Sequence, residues 1–167
     1  NFKKTLFNTI SSLIVVAAIA VLISMLFLPV LRVTGTSMAP TMLNDELIIC
    51  NKRSNFETGD IVAFYFNNKI LLKRVIGTSG DIIDISEDGT VYVNGEALDE
   101  PYINEKAFGE CDIELPYQVP ENRIFVMGDH RAVSIDSRST SVGCIADEYV
   151  IGKVIMRVWP LDRVETF

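Results

Sequence analysis

Residues 60–76 read DIVAFYFNNKILLKRVI, and this stretch predicts a β fold for most of the chain. Two runs rich in branched and aromatic residues, 60–66 and 69–76, flank the pair Asn67-Asn68. Such runs are typical of strands, and paired asparagines are typical of a turn between strands. The stretch therefore predicts two neighbouring strands joined by a turn.

Runs of the same kind continue on both sides of this stretch. One precedes it at residues 46–50 (ELIIC). After it, the pairs Asp88-Gly89 and Asn94-Gly95 punctuate a predicted meander, and Asn-Gly is a strong signal for a two-residue hairpin turn. The later predicted strands occupy residues 81–86, 90–93, 96–98, 122–127 and 152–158. Residues 99–121 form an irregular excursion that is expected at the surface. The chain is therefore expected to be mainly β, with few short helices.

An uncharged run from Thr5 to Leu31 precedes the β region. As a helix rising about 1.5 Å per residue, it would exceed a hydrocarbon core about 30 Å thick. Its apolar part is also longer than the usual core of a removable signal peptide. We therefore expect residues 1–32 to be a cytoplasmic stub and a retained transmembrane anchor. Residues 33–167 are expected to form an extracytoplasmic domain, because two lysines before the run favour a cytoplasmic N-terminus.

Composition argues against two classes of partner. None of the 22 acidic residues lies before Arg32, whereas three of the 15 basic residues lie at or before it. The region after the anchor is therefore strongly acidic, which argues against nucleic acid. With one histidine and no metal-ligand spacing, no metal site is expected. Cys50, Cys111 and Cys144 include no C-x-x-C pair, so one disulfide with a free thiol and three free thiols both remain open.

Ser37 and Lys73 are the candidate catalytic pair. Ser37 lies just beyond the anchor, in RVTGTSMAPTM at residues 32–42, and Lys73 lies in the second strand of the opening stretch. A serine hydroxyl needs a base, and lysine can be that base once burial lowers its pKa. Strand alternation puts Lys73 on one face with Leu71 and Val75, which favours burial. An ordinary exposed lysine is the alternative. A hydroxyl and an amine at a membrane surface indicate a protease that cuts where a substrate leaves the bilayer.

A third polar segment favours the catalytic interpretation. Residues 127–138 read MGDHRAVSIDSR, with two acids, two arginines, one histidine and two serines. Together the three segments resemble the type I signal peptidases, membrane-bound Ser–Lys endopeptidases that remove signal peptides from exported proteins. The similarity covers roughly residues 33–160 and includes SMAPT, KRVIG-x-x-GD and GD-x-R-x-x-S-x-DSR. VNGEALDEPYI and GKVIMRVWPL are also similar to that family.

The resemblance implies a role for each of these motifs. Ser37 is expected to be the nucleophile, Lys73 the general base, and Ser134 the residue whose hydroxyl orients the lysine amine. Two structural pairs are expected to support them: Asp129 with Arg74, and Asp136 with Arg138. The substrate's small side chains at positions −1 and −3 are expected to enter subsites walled by Val33, Met38 and Leu72.

The chain departs from the family pattern at three positions. Gly35, two residues before the nucleophile, cannot supply the side-chain donor that some members have there. Beside the backbone N–H of Ser37, the second oxyanion donor is therefore unassigned. His130 replaces a common asparagine, and Ser79 replaces a common proline. A Ser37–His130–Asp triad is thus an alternative, although Asp129 and His130 would face opposite ways on a strand.

Two further interpretations stay open, one of them non-enzymatic. Relatives of proteases can become membrane-tethered binding or assembly modules, but the presence of both Ser37 and Lys73 argues against this. Self-cleaving repressors of the DNA-damage response use the same dyad, but they need a DNA-binding module, and this chain has an apolar run there. The resemblance implies signal peptides of exported preproteins and membrane lipid as partners. It also implies a monomer without metal or organic cofactor, with a single span in a bacterial cell membrane.

Overall fold

The computed structural model describes residues 2–52 and 55–167. The chain begins with helix α1 (Phe2–Phe27), in which no residue is buried. Its 26 residues span roughly 39 Å at about 1.5 Å each, and the helix is apolar enough to cross a membrane. The expected apolar N-terminal helix is confirmed. It ends before the uncharged run does, because Pro29 has no N–H and disfavours a helical residue before it.

The part of the chain after α1 is mainly β. Over the whole chain, 32% of the residues are strand and 20% are helix. The strands in chain order are β1 (Val30–Arg32), β2 (Leu47–Asn51), β3 (Ile61–Phe66), β4 (Lys69–Gly77), β5 (Ile82–Ile85), β6 (Val91–Val93), β7 (Glu96–Ala97), β8 (Tyr117–Gln118), β9 (Arg123–Met127), β10 (Ile145–Ala146), β11 (Val150–Trp159) and β12 (Glu165–Thr166). The large sheet has the order β1-β2-β11-β3-β4-β9-β10, with β12 beside β11. The smaller sheet has the order β7-β6-β5-β8. Two short 3-10 helices lie at Asp147–Tyr149 and Leu161–Arg163.

The opening stretch of the sequence forms the hairpin of β3 and β4. The two strands pair antiparallel, with Phe66 opposite Lys69 at the turn. Asn67 and Asn68 both have a positive φ, 46° and 60°. Asparagine tolerates this region better than most residues, and a turn with two such residues matches the twist of its strands. The prediction of two paired strands is confirmed, and β4 brings Lys73 into the middle of the large sheet.

Four short strands are absent from the sequence prediction: β1, β8, β10 and β12. The last three have two residues each, which is too few for an alternation to show. β1 lies inside the uncharged run, yet it pairs with β2 through Val30 and Ile49. The sheet therefore begins before residue 33, and the chain passes directly from α1 into the edge of the sheet.

The cysteines are three free thiols, which decides between the two possibilities left open by the sequence. Cys50 and Cys144 are buried in apolar clusters. Burial raises the pKa of Cys50 to about 12 and that of Cys144 to about 11. Because the thiolate is the reactive form, these two cysteines are packing residues at neutral pH.

Candidate active site

Ser37 lies in the segment that follows β1. Val33 and Met38, on either side of it, are each 2% exposed and belong to one apolar cluster. The Ser37 carbonyl accepts a hydrogen bond from the backbone N–H of His130 at 3.0 Å. Gly35 has a φ of 88°, a conformation that glycine adopts without strain. The buried neighbours and the bond to His130 hold in place the backbone that carries the half-buried serine.

Lys73 lies in β4 and is only 3% exposed. Among the described residues, its ammonium group forms no hydrogen bond and no ion pair. Burial lowers the pKa of Lys73 below its ordinary value of 10.5. The negative charge of Asp136 opposes this shift, the positive charge of Arg138 adds to it, and the negative charge of Asp129 also opposes it. A lysine in these surroundings gives up its proton more readily than a solvated lysine. That property is what a base for serine requires.

Gly128 is the point at which the serine segment, the lysine strand and Ser134 meet. Arg74 of β4 lies opposite Met127 of β9, so the next residue, Gly128, reaches the level of Lys73. A Cβ atom on Gly128 would lie 2.5 Å from the Ser37 carbonyl oxygen and closer still to the Ser134 Oγ. Any side chain there would collide with both. The glycine therefore allows the two serines to approach the strand pair that holds the lysine.

Ser134 is 2% exposed, and its Oγ has no hydrogen-bond partner in the part of the chain that the structure describes. The hydrogen bond between Ser134 and Lys73 that the resemblance implies is therefore not formed, and neither is one between Ser37 and Lys73. Catalytic hydrogen bonds are often long without substrate and tighten when it binds. An unpartnered buried hydroxyl costs about 1–3 kcal/mol. The Ser134 hydroxyl thus has free capacity to bind an amine that turns towards it.

Two buried ion pairs hold the loop after β9. The Arg74 guanidinium donates to both carboxylate oxygens of Asp129, with N···O distances of 2.8 and 2.6 Å. The Arg138 guanidinium donates in the same way to both carboxylate oxygens of Asp136, with N···O distances of 2.8 and 2.9 Å. Bidentate pairs of this kind restrict geometry as well as balance charge. Asp136 also accepts the N–H of Gly128 at 2.9 Å, so the second pair directly positions the glycine.

A third buried pair is missing from the sequence prediction. The Arg131 guanidinium donates to both carboxylate oxygens of Glu100, with one N···O distance of 2.8 Å. The Arg131 Nε also donates to the Gly128 carbonyl at 3.1 Å. Glu100 belongs to the irregular segment of residues 99–121, which was expected at the surface. Much of that segment is exposed, but Glu100 enters the protein and helps hold the same glycine from its other side.

Tyr102 extends this network to the first ion pair. Its hydroxyl donates to Glu100 at 2.9 Å, and its ring lies beneath the guanidinium of Arg74, 3.7 Å from ring centre to Cζ. Glu100 and Tyr102 both lie in the motif VNGEALDEPYI, and Arg131 is the arginine of GD-x-R. The motifs shared with the family therefore already included these three residues, but the sequence did not indicate that Glu100 pairs with Arg131.

A narrow cleft opens beside the candidate nucleophile. It is lined by residues between 31 and 38 and by residues 70–72 of β4, and it encloses about 40 Å³. Leu72 packs against the cluster that contains Val33 and Met38. The three residues named as subsite walls therefore meet in one place. Since about 15 Å³ already holds a water molecule, the cleft has room for only a few atoms.

His130 takes no part in a triad in this structure. Its side chain is exposed, whereas Asp129 is 1% exposed. Both carboxylate oxygens of Asp129 are bound, by Arg74 and by the hydroxyl of Thr41. Asp129 therefore orients an arginine and not the histidine. Among the described residues, no group of three His, Cys, Asp or Glu side chains could hold a metal ion.

Comparison with known proteins identifies the family. Residues 6–159 match the family described as signal peptidase, peptidase S26. The chain belongs to the signal peptidase family. It is 34% identical over 181 residues to signal peptidase IB of Staphylococcus aureus, which covers 96% of this chain and 93% of that protein. Signal peptidase I of Bacillus licheniformis is 35% identical over 178 residues, with 98% and 94% covered.

A solved structure agrees with this assignment. The crystal structure of a signal peptidase I from Enterococcus faecalis has a TM-score of 0.51 and 30% identity, and it covers 60% of this chain and 97% of that chain. As a member of the signal peptidase family, this chain is a peptidase, and membership supports removal of signal peptides by a serine protease. The apolar helix α1 fits the membrane anchor of such an enzyme.

Proposed function

We propose that the chain is a membrane-anchored serine endopeptidase that removes signal peptides from exported precursors with a Ser37–Lys73 dyad. The observation that carries the proposal is the surroundings of Lys73: buried, without an ion-pair partner among the described residues, and level with Gly128. The Ser37 carbonyl and the Ser134 hydroxyl both approach that glycine. Family membership supports the class of reaction, and the lowered pKa of Lys73 supports its role as base.

The proposed chemistry is acyl transfer in two steps. Neutral Lys73 accepts the Ser37 proton while the Oγ attacks the carbonyl carbon before the cut. The oxyanion binds the Ser37 N–H, which donates to no other group in the described chain. The proton passes to the leaving amine, the C–N bond breaks and an acyl-enzyme forms. Lys73 then activates a water molecule that releases the signal peptide, while the Ser134 hydroxyl orients the amine.

The cleft supports a requirement for small side chains at positions −1 and −3. An extended peptide can lie between the Ser37 segment and β4, where backbone hydrogen bonds provide affinity and pockets accept alternate side chains. Val33 and Met38 are buried in the core cluster, so they cannot move aside without disturbing it. Large side chains would overpack a space of this size.

The anchor supports a placement in a bacterial cell membrane. We assign α1 a single span with a cytoplasmic N-terminus, in keeping with the two lysines at its start. The β-rich domain is then extracytoplasmic, and it acts as a monomer. Trp159, Leu161 and Val164 are large apolar side chains that remain exposed, by 51%, 75% and 46%. Since tryptophan is favoured at membrane interfaces, these residues support contact between the domain and lipid.

The test is cleavage of a secretory precursor in detergent, with alanine or phenylalanine at position −1. Wild type is expected to cut only the alanine precursor, and Lys73→Ala neither. Lys69→Ala is the matched control, because Lys69 is an exposed lysine on the same strand. Near-normal turnover by Lys73→Ala would contradict the dyad. Equal cutting of both precursors by wild type would contradict the subsite assignment.

A further inference from the structure

A second and larger cavity lies beyond the nucleophile. It encloses about 320 Å³, compared with about 40 Å³ for the cleft. Its lining comes from three places: the segment after Ser37, with Ala39 and Pro40; the irregular segment, with Glu105; and the loop after β9, with Asp129, His130 and Arg131. The two cavities share no lining residue, and they adjoin where Met38, which lines the first, is followed by Ala39, which lines the second.

The path of a substrate connects the two cavities. A polypeptide that is cut at Ser37 extends on both sides of that serine. If the half before the cut lies in the cleft, the half after it leaves past Ala39 and Pro40. The hydrogen bond from the His130 N–H to the Ser37 carbonyl puts one lining residue of the second cavity directly beside the backbone of the nucleophile. An extended chain advances about 3.3 Å per residue, so the cavity lies within reach of the first few residues after the cut.

Most charges around the second cavity are compensated inside the protein. Asp129 and Arg131 are each 1% exposed, and they pair with Arg74 and Glu100. Glu105, in contrast, is exposed, and it forms no hydrogen bond or ion pair within residues 2–52 and 55–167. Of the lining residues, Glu105 therefore presents the one uncompensated carboxylate to a ligand.

We propose that this cavity receives the first residues of the mature chain, and that Glu105 makes it prefer a basic over an acidic side chain there. The proposal rests on the proposed function, since it requires a peptide cut at Ser37. Because Glu105 is exposed, water and salt screen its charge. One substrate charge should change kcat/KM by about two- to threefold, the effect of an exposed ion pair, and the preference should weaken at high salt.

The test is a competition between two precursors cleaved in one tube by the detergent-solubilised full chain. They differ only in carrying lysine or glutamate at one of the first few positions after the cut. The ratio of their kcat/KM values does not depend on how much enzyme is folded. Wild type is expected to prefer the lysine precursor, Glu105→Gln to remove the preference and Glu105→Lys to reverse it. Glu110→Gln is the matched control, because Glu110 is an exposed acid of the same segment that does not line the cavity.

Equal rates for the two precursors in wild type would overturn the proposal. A preference for the lysine precursor that persists in both Glu105 variants would also overturn it. If Glu110→Gln reduced the preference as much as Glu105→Gln does, the effect would belong to the overall charge of the protein, and the proposal would again be wrong. An uncharged precursor with alanine before the cut is measured in parallel. Failure to cleave that precursor would contradict the proposed function itself, so the two failures are distinguishable.

Discussion

The start and the centre of β4 place two lysines in opposite surroundings. Lys69 begins the strand beside the hairpin turn and is exposed, whereas Lys73 is 3% exposed. β3 pairs with β4 from Lys69 to Arg74, whereas β9 pairs only with its second half, from Arg74 to Gly77. The loop after β9 then brings buried ion pairs around that half. The same residue type is thus exposed to solvent at the start of the strand and buried at its centre, because different elements pack against the two positions.

The largest expected effect is the loss of cleavage when the buried lysine is replaced. Lys73→Met should lower single-turnover cleavage by at least about a thousandfold, because proton transfer to the base is lost. Lys69→Met should cleave normally. Ser37 and Lys73 act as one unit, so the double variant Ser37→Ala/Lys73→Met should be hardly slower than either single variant. Additive losses in the double variant would argue against a dyad.

The next largest effect concerns the glycine between the two serines. Gly128→Ala puts a Cβ against the Ser37 carbonyl and the Ser134 side chain. A displacement of about 1 Å at a catalytic group can cost roughly a hundredfold in rate, and kcat should fall by about that factor. Gly95→Ala is the control for stability, because Gly95 has a φ of 84° in a turn of the small sheet. It should lower the melting temperature but keep the activity. Full activity in Gly128→Ala would show that catalysis does not depend on the close approach of the two serines to residue 128.

A smaller effect is expected from the unpartnered hydroxyl. Ser134→Ala should lower kcat by about tenfold, the equivalent of one hydrogen bond of roughly 1.4 kcal/mol. KM should stay the same, since the residue orients the base and touches no substrate. Stability should not fall, because the Oγ has no partner to lose among the described residues. Steady-state kinetics can decide this: a raised KM with an unchanged kcat would place Ser134 in a binding subsite.

The smallest expected effect is a gain in stability. A buried lysine without a partner costs free energy of folding, so Lys73→Met should raise the free energy of unfolding by about 0.5–2 kcal/mol, and Lys69→Met should not. The pKa of Lys73 is lowered in the folded state, so between that pKa and 10.5 the unfolded state binds more protons. Wild-type stability then rises with pH, and the gain from Lys73→Met shrinks. Denaturant titrations at several pH values measure this, and a gain independent of pH would contradict it.

The longer strands and the candidate residues could be predicted from the sequence because their signals are local. Alternation in residues 69–76 and the asparagine pair before them were sufficient to predict the hairpin that carries Lys73. The motifs shared with the signal peptidases pointed to Ser37 and to the arginine–aspartate pairs, which the structure forms. β1 was missed because its residues are as apolar as the anchor they follow.

The pairing of Glu100 with Arg131 was not predictable from the residues. Glu100 and Arg131 lie 31 positions apart, and nothing local indicates that an acid in an irregular segment enters the protein to meet an arginine. The role of Gly128 depends on the approach of Ser37, which lies in a segment far away in sequence. Both features arise from tertiary packing, which propensity and spacing do not encode.

The most direct test of the central claim, that Lys73 is the base, is the pH dependence of kcat/KM in wild type and in His130→Asn. Because a lysine base works only when neutral, activity should rise with pH along a limb set by the lowered pKa of Lys73, below 10.5. His130→Asn should keep most of the activity and leave that limb in place. A limb near about 6.5, the ordinary value for histidine, that disappears together with the activity in His130→Asn would contradict the account.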